Sequence, residues 1–258
     1  MRPWCCFAVN VQKVTQESSQ DKLAASSSQL RDLLEALHDS VPPLSPRDYH
    51  TLLRGRSPER LNALSKQASD AVLELFGFSL VLGPSRLTGG GVGVFVERGC
   101  VRKGQLVALY PGTVYLPFEP ILLQSLRNSY ILRCLDGVLV DGKNRGISMV
   151  IFKSCAFRDV VGPFMSCDIT WLKTKRINPL AIGQWVNNHT RENAANVDYV
   201  EVDLPPDVPL EWRRFIPNVY YNLNMDAKNA LRMVGLIATA DIQSGQELYS
   251  SYLTIVES

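Results

Sequence analysis

The sequence predicts an α+β protein: a helical N-terminal region, residues 1–77, precedes a β-rich domain of short strands, residues 78–258. Three observations support this prediction. Leucines recur at helical spacing before Gly77, and short β-branched and aromatic segments dominate after it. These segments also follow one another too closely to leave room for the crossover helices of a doubly wound parallel sheet. With 258 residues, of which 46% are hydrophobic, the chain has enough material for an ordinary globular core.

Two leucine-rich runs predict the longer helices of the N-terminal region. The first run contains Leu23, Leu30, Leu33, Leu34 and Leu37, and the second contains Leu61, Leu64, Ala68, Val72 and Leu75. Ser57 is followed by a proline, which predicts an N-cap at Ser57, and Gly77 suits the left-handed end of the same helix. Ser45, also before a proline, predicts a short helix that ends near Gly55. We expect a small bundle or cap packed on the rest of the chain; a partner-binding groove is the alternative.

Eight segments predict the strands of the second region. They are GVFV from 93, QLVALY from 105, SYILRC from 129, GVLVDG from 137, MVIFK from 149, NVDYVEVDL from 196, MVGLIATADI from 233 and ELYSSYLTIV from 247. Two stretches interrupt this pattern. Ser154–Asn178 is predicted to be irregular, within an insertion around residues 145–180, and Pro205–Asn218 is bounded by prolines.

Composition excludes several functional classes. The formal net charge of +2 gives no reason to expect direct nucleic-acid binding, since such domains usually carry a clear excess of basic residues. The apolar opening, Pro3–Val9, is short and lacks a cleavage site, so we expect no signal peptide. No apolar run approaches the roughly 20 residues needed to span a bilayer, so we expect no membrane insertion.

Cysteine and histidine usage predicts a reduced intracellular protein without a metal site. The six cysteines, at positions 5, 6, 100, 134, 155 and 167, form no CxxC pair. His38, His50 and His189 lie far apart in the chain, which argues against a histidine-rich metal site. The adjacent Cys5 and Cys6 leave acylation open as an alternative to free thiols.

The most glycine-dense stretch is TGGGVGVFVERG, Thr88–Gly99. A dinucleotide-binding fingerprint would need a helix after the glycines, whereas Val94–Val96 continue as a strand. A phosphate-binding loop would need a GKS or GKT ending, which is absent from the sequence. Two interpretations remain: an ordinary glycine hairpin, or a turn whose backbone approaches a cofactor.

Four blocks in order distinguish these interpretations. GGGVGVFVERGCVRKGQLVALYPG resembles the opening of a SET domain, with its GxG turn and a following strand that ends in tyrosine and glycine. SYILRCLDGVLVDG, WVNNHTRENAANV and GQELYSSY resemble three later blocks of the same family, the last two corresponding to FINHSCxPN and GEELTYDY. The chain is therefore identified, by resemblance over residues 89–252, as a member of the SET-domain family.

The resemblance implies S-adenosyl-L-methionine-dependent protein-lysine N-methylation, with a histone or non-histone protein as substrate, in the nucleus or cytoplasm. Tyr252 corresponds to the catalytic tyrosine at the methyl-transfer pore, and Tyr110 to a tyrosine of the lysine channel. The GxG turn supplies Gly91, Val92 and Gly93 as cofactor-binding residues. The later block contributes Asn187, Asn188 and His189, and Tyr252 also faces the cofactor.

The register of the third block is open. An ungapped alignment places Asn187 on the family asparagine, Asn188 on its histidine and Asn193 on its final asparagine. A shift by one residue restores the Asn188-His189 pair, but Asn196 is then too far along the chain unless the loop bulges.

Two further departures favour a rival function, a SET-like protein-interaction module with weak or no catalysis. Ser250 stands where many members carry an aromatic ring that limits the number of methyl groups, and Tyr199 or Tyr249 is a candidate to fill the space. Residues 253–258 lack the cysteines of a zinc-binding tail, so we expect another segment or a partner to close the lysine channel. The run Lys173–Arg176 is interpreted as a solvated loop, with an acidic substrate or a nuclear signal as alternatives.

Overall fold

The computed structural model describes residues 12–13, 20–158, 160, 163–204, 207–222 and 230–251. It confirms the predicted α+β class. The helices are α1 (Gln20–Ser40), α2 (Pro46–Leu53), α3 (Pro58–Phe76), α4 (Leu122–Ser125) and α5 (Gly146–Arg158). The strands are β1 (Gln12–Lys13), β2 (Phe78–Pro84), β3 (Val92–Val101), β4 (Leu106–Leu109), β5 (Gly112–Tyr115), β6 (Ile131–Arg133), β7 (Leu139–Asp141), β8 (Asn187–Asn188), β9 (Val197–Leu204), β10 (Asn218–Tyr220), β11 (Leu231–Ala238), β12 (Ile242–Gln243) and β13 (Tyr249–Ser250).

The two predicted N-terminal caps behave differently. Ser45 forms a reciprocal capping box with Asp48 at the start of α2. Ser57 stands at the predicted N-cap position of α3, although its hydroxyl makes no capping hydrogen bond. The backbone explains the difference, because ψ is 161° at Ser45 and 65° at Ser57. Gly77 ends α3 with φ 78°, in the predicted left-handed conformation.

The strands form four small sheets. One has the order β1-β6-β7-β5-β10, a second β4-β11-β9, a third β12-β3-β2, and the fourth pairs β13 with β8. The long antiparallel pair β9–β11 places Tyr199 opposite Leu236. The two-residue pair β8–β13 is parallel and joins segments about 60 residues apart. Parallel pairing over such a separation has to be set by the surrounding fold, since no hairpin connects the two strands.

The segment MVIFK does not form the predicted strand, because residues 149–153 lie inside α5. This helix buries Phe152, Cys155 and Ala156 yet leaves Val150 exposed, so apolar residues occupy both its faces. An apolar run without a polar side has no helical period, and β-branched residues then favour a strand. The same helix accounts for the first residues of the stretch that was predicted to be irregular, Ser154–Arg158.

A single hydrophobic core joins the helices to the strands. Leu33 and Leu37 of α1 are fully buried in the same cluster as Val200 of β9 and Phe215. The 3-10 helix Leu210–Phe215 adds a polar connection, because the buried Arg214 guanidinium donates to the carbonyl oxygens of Val41 and Pro42 at 2.7 and 2.6 Å. The N-terminal helices therefore pack as an integral part of the fold. Among the described helices, none has the length and apolar character needed to cross a membrane.

Candidate functional site

Glu247 is the centre of the site. Its carboxylate is buried between β12 and β13 and accepts four hydrogen bonds. Oε1 accepts from the Ser85 hydroxyl at 2.7 Å and from Nδ2 of Asn187 at 3.2 Å. Oε2 accepts from the main-chain N–H of Arg86 at 2.8 Å and from the Tyr249 hydroxyl at 2.7 Å. Burial raises the pKa of Glu247, but these hydrogen bonds outweigh it and hold the pKa below its ordinary value.

The glycine turn lies directly against this carboxylate. Gly93 sits in β3 opposite Gly83, and a Cβ built on Gly93 would collide with the Glu247 carboxylate. Gly91 has φ 63°, and no heavy atom lies within 4 Å of a Cβ built there. The turn is therefore closed on the side of Gly93 and open on the side of Gly91, where its backbone is accessible to a ligand.

The predicted cofactor-binding segment meets this turn through Asn187. Nδ2 of Asn187 donates to the Val92 carbonyl oxygen at 3.1 Å as well as to Glu247. Asn188 pairs with Ser250 in the β8–β13 ladder. The main-chain N–H of His189 donates to the Ser250 carbonyl oxygen at 2.8 Å, while the His189 side chain is exposed. Asn187 thus joins the site through its side chain, and His189 through its backbone.

Asn196 makes three hydrogen bonds to the segment from Glu247 to Tyr249. Nδ2 of Asn196 donates to the Glu247 carbonyl oxygen at 2.9 Å, and its Oδ1 accepts from the main-chain N–H of Tyr249 at 2.8 Å. The main-chain N–H of Asn196 also donates to the Tyr249 carbonyl oxygen at 2.9 Å. These three bonds fix the strand in register without a continuous ladder.

The loop between Asn187 and Asn196 bulges. The N–H of Thr190 donates to the carbonyl oxygen of Asn193, and the N–H of Asn193 donates to the Thr190 hydroxyl. This tight turn shortens the path of the chain and brings Asn196 to the strand. Asn193 bonds to Thr190 within this turn, whereas Asn196 contacts the segment that contains Glu247.

Tyr252, the predicted catalytic tyrosine, lies outside the described residues. The described segment before it is held on both sides: the N–H of Leu248 donates to the Val94 carbonyl oxygen of β3, and Asn196 bonds to Tyr249. The backbone that leads toward position 252 is therefore fixed by β3 on one side and by Asn196 on the other.

Tyr110 belongs to a cluster of aromatic side chains beside β13. It is fully buried, its hydroxyl donates to the Tyr130 carbonyl oxygen at 2.8 Å, and its ring meets the ring of Tyr199 edge to face, with centroids 6.2 Å apart. Ser250 in turn donates to the Tyr199 hydroxyl at 3.2 Å. Of the two candidates to fill the space at Ser250, Tyr199 lies beside it, whereas the Tyr249 hydroxyl is bonded to Glu247.

Two side chains next to Asn187 carry buried polar atoms without a partner in the described part of the chain. Both amide atoms of Gln184 and Nε1 of Trp185 are buried and make no hydrogen bond. The Trp185 ring packs edge to face on Tyr130, with centroids 5.8 Å apart. Buried polar groups are usually hydrogen-bonded, so an ordered water or a polar ligand would satisfy these two side chains.

The sequence did not identify Ser85, Arg86 or Glu247 as site residues, and it did not reveal the hydrogen bonds of Asn196. Glu247 had a signal, because it belongs to the GQELYSSY block. Ser85 and Arg86 had none, since their contacts depend on β2 returning to the end of the chain. The sequence left the place of Asn196 open, because the Thr190–Asn193 turn is not visible in it.

One group of potential metal ligands lies away from this site. Cys134, Asp136 and Glu201 offer ligand atoms within 4.8 Å of one another. Arg232 forms ion pairs with two residues of this cluster, Asp136 at 2.9 Å and Glu201 at 2.7 Å. Burial raises the pKa of Cys134 to about 12, which keeps its thiol protonated. An arginine therefore neutralises these acids, and we assign no metal to them.

Comparisons with known proteins agree with the order of the blocks. The chain is 44% identical over 229 residues to SET domain-containing protein 9 of Homo sapiens, covering 89% of this chain and 72% of that protein. It is equally similar to SET domain-containing protein 9 of Pongo abelii, of which it covers 79%. No protein-family model matches the chain. Among solved structures, a humanized mutant of the Chaetomium thermophilum Polycomb Repressive Complex 2 bound to the inhibitor GSK126 matches with a TM-score of 0.36 and 17% identity, over 76% of this chain and 19% of that one, which is too weak to support an argument.

Proposed function

Because the chain belongs to the SET-domain family, in the group of SET domain-containing protein 9, we propose that it is an S-adenosyl-L-methionine-dependent protein-lysine N-methyltransferase. The observation that carries this proposal is the convergence at Glu247. One carboxylate binds Ser85 and Arg86 before the glycine turn, Asn187 of the third block, and Tyr249 of the last. Three blocks that the family places at its cofactor and pore meet at one buried charge.

The residues at this convergence fit the cofactor. S-adenosyl-L-methionine, when bound, would supply a methyl group activated by its sulfonium charge. The open backbone of Gly91 and Val92 offers a surface for close approach, and Glu247 prevents any side chain at Gly93. Gln184 and Trp185 present buried polar atoms that have no partner in the described residues. We assign cofactor binding to the set Gly91, Val92, Gly93, Asn187, Asn188, His189 and Tyr252.

The chain would contribute positioning and exclusion of water. Glu247 is held charged by four donors, so it can fix the glycine turn and the β13 strand in one geometry. Tyr110 and Tyr199 are buried beside that strand and would form the dry wall of a channel for the side chain of a substrate lysine. The Tyr252 hydroxyl would stabilise the change of charge at the pore, a preorganised electrostatic role.

Tyr199 would also set the width of this channel. Its hydroxyl bonds to Ser250, which stands where many relatives carry an aromatic ring. The tyrosine therefore supplies from β9 the bulk that serine lacks on β13. Under the proposed function, shortening Tyr199 would admit a lysine that carries more methyl groups.

The proposed function is tested by incubating the full chain with labelled S-adenosyl-L-methionine and a cell lysate. We expect label on at least one protein, in ε-methyl-lysine identified by mass spectrometry. Tyr252→Phe is expected to lower the label at least tenfold, whereas Tyr221→Phe, which removes the hydroxyl of the residue that follows β10, is expected to leave it unchanged. A folded wild type that neither labels a protein nor binds the cofactor would favour the alternative, a protein-interaction module.

A further inference from the structure

Helix α4 and the first turn of α5 bury polar side chains and expose apolar ones. Within the four residues of α4, Gln124 is buried whereas Leu122 and Leu123 are exposed. At the start of α5, Ser148 is buried whereas Ile147 and Val150 are exposed. A surface helix normally turns its apolar face to the core. Buried polar groups and an exposed apolar patch are the informative departures from that rule.

A buried polar network fixes this orientation. Nδ2 of Asn128 donates to the Gln124 carbonyl oxygen at 2.8 Å and to the Asp141 carboxylate at 2.9 Å, and it lies 3.4 Å from the Ser148 hydroxyl. The Asn128 amide therefore joins α4, β7 and α5. Turning Leu122 and Leu123 of α4, or Ile147 at the start of α5, toward the core would leave these polar groups without partners, which is costly in a buried site.

The outward side forms one apolar surface, here called the α4–α5 face. It consists of Phe118, Leu122, Leu123, Leu126, Ile147 and Val150, whose exposed fractions run from 44% to 79%. The two helices contact each other, so their exposed side chains lie on neighbouring elements, and Phe118 precedes α4 by four residues. These six are more than half of the large hydrophobic side chains that are exposed in the described residues. Contiguous apolar surface of this kind marks an interaction site in a soluble protein.

Basic residues lie next to the α4–α5 face along the chain. Arg127 follows Leu126, Arg145 precedes Ile147, and Lys153 lies one turn beyond Val150. Lys143 donates from Nζ to the Arg127 carbonyl oxygen at 3.3 Å, which places it between the two helices. Across the described residues, Arg127, Arg145 and Lys153 make no ion pair.

The acids of the same stretch do not neutralise this rim. Its carboxylates are Glu119, Asp136 and Asp141. Glu119 and Asp141 are buried, and Asp136 is paired with Arg232. The surface that faces outward is therefore apolar at its centre and positively charged at its edge.

We propose that the α4–α5 face binds an amphipathic acidic segment of a partner protein, with leucine-like side chains on the apolar centre and carboxylates on the basic rim. Charge complementarity selects this occupant. A second copy of the chain would bring the same basic rim against itself. Residues 1–11 of the chain are apolar but carry Arg2 and no acid, so they lack the complementary charge. The face does not include the predicted methyl-transfer residues, so the proposal stands apart from catalysis.

The experiment selects peptides from a phage-displayed library of random 15-residue sequences on the full chain. We expect enrichment of sequences that combine Leu, Ile or Phe with Asp or Glu. A synthetic copy of the leading peptide is then titrated by fluorescence anisotropy. Leu123→Ser/Val150→Ser is expected to weaken binding at least tenfold, and Arg145→Glu/Lys153→Glu several-fold, with a smaller loss at high salt. Leu75→Ser, which changes an exposed leucine of α3, is the matched control and should bind as the wild type.

Each other outcome overturns the proposal. The proposal of an acidic segment on this face is wrong if no peptide is enriched or if the selected peptides are basic or uncharged. It is also wrong if Leu123→Ser/Val150→Ser leaves the binding intact. Light scattering that shows a dimer broken by the same double variant would assign the face to a second copy. An affinity that rises in the full-length Trp4→Ser/Phe7→Ser variant would assign it to the N-terminal segment. A circular dichroism spectrum and a thermal midpoint close to those of the wild type show that the double variant is folded.

Discussion

The Ser250 hydroxyl donates a hydrogen bond to the Tyr199 hydroxyl at 3.2 Å, and both side chains are buried. The bond joins β13, which leads to Tyr252, to the middle of β9. The Tyr199 ring also meets the Tyr110 ring edge to face. The space beside Ser250 is thus filled from β9 and not from β13 itself.

Replacement of Ser250 with phenylalanine is expected to destabilise the protein, because the new ring and Tyr199 would compete for one buried space. Overpacking of this kind costs about 1–3 kcal/mol in unfolding free energy. Ser250→Phe/Tyr199→Ala should recover part of that loss, since the alanine leaves room for the ring. Urea denaturation of the two single variants and the double variant measures the coupling. Strictly additive effects would show that the two side chains do not share the space.

Glu247→Gln should lower the free energy of unfolding by ~2 kcal/mol, because a hydrogen bond to a charged acceptor is stronger than one to an amide, and the new NH2 group would face a donor. The pKa of Glu247 in the folded protein is lowered below the ordinary 4.5. Its contribution is therefore present above pH 4.5 and is lost as the pH falls through the folded pKa. We expect the variant to lose less stability than the wild type on acidification below pH 4.5.

Glu97→Gln is the control for this change, because Glu97 is exposed and accepts from Ser79 in the neighbouring hairpin. Its denaturant midpoint should be close to that of the wild type both above and below pH 4.5. If the two glutamine variants had the same unfolding free energy and the same pH dependence, Glu247 would not be the group that holds the site together.

Asp168 should produce the opposite pH dependence. Burial raises its pKa from 3.8 to about 6, although Thr170 and Asn178 donate hydrogen bonds to it. Since the folded pKa lies above the unfolded value, its stabilising contribution is complete below pH 3.8 and is lost as the pH rises through 6. Asp168→Asn should therefore flatten the decline in stability between pH 4 and 6 by ~2 kcal/mol, measured by urea denaturation. A decline of unchanged slope in the variant would contradict this assignment.

Arg214→Met should cost roughly 2–4 kcal/mol of unfolding free energy, because the carbonyl oxygens of Val41 and Pro42 would remain buried without their donor. The loss is measured by chemical denaturation, as a single transition if the helices and strands unfold together. Arg31→Ala is the control, because Arg31 and Asp207 form an exposed pair at 3.6 Å that should contribute less than about 1 kcal/mol. Equal effects of the two substitutions would mean that Arg214 does not hold the helical region to the strands.

Local signals were sufficient for most of the fold. Helical leucine spacing and the left-handed Gly77 placed α3 correctly, and β-branched segments located β3, β7, β9 and β11. The failure at MVIFK has a physical cause, because α5 is apolar on both faces and such a run lacks the period that distinguishes a helix from a strand. The contact between Asn128 and Ser148, which buries a polar residue at the start of α5 while Ile147 and Val150 stay exposed, is a tertiary feature, absent from any local pattern.

The site was predicted in part. Four blocks in order identified the SET-domain family correctly, and the structure brings Gly93, Asn187 and Tyr249 of separate blocks together at Glu247. The cofactor and catalytic roles of the predicted residues stay predictions. The contribution of Asn196 could not be read from spacing, because a four-residue turn shortens the loop before it.

The most direct test of the account is calorimetric titration of the full chain with S-adenosyl-L-methionine, using wild type, Gly91→Arg and Gly89→Arg. Gly89 and Gly91 both have a positive φ and open space around a Cβ, so the two substitutions impose similar backbone strain two residues apart. We predict that the wild type and Gly89→Arg bind the cofactor and that Gly91→Arg, although folded by circular dichroism, does not. Failure of the folded wild type to bind, or equal binding by Gly91→Arg, would contradict the assignment of the glycine turn to the cofactor.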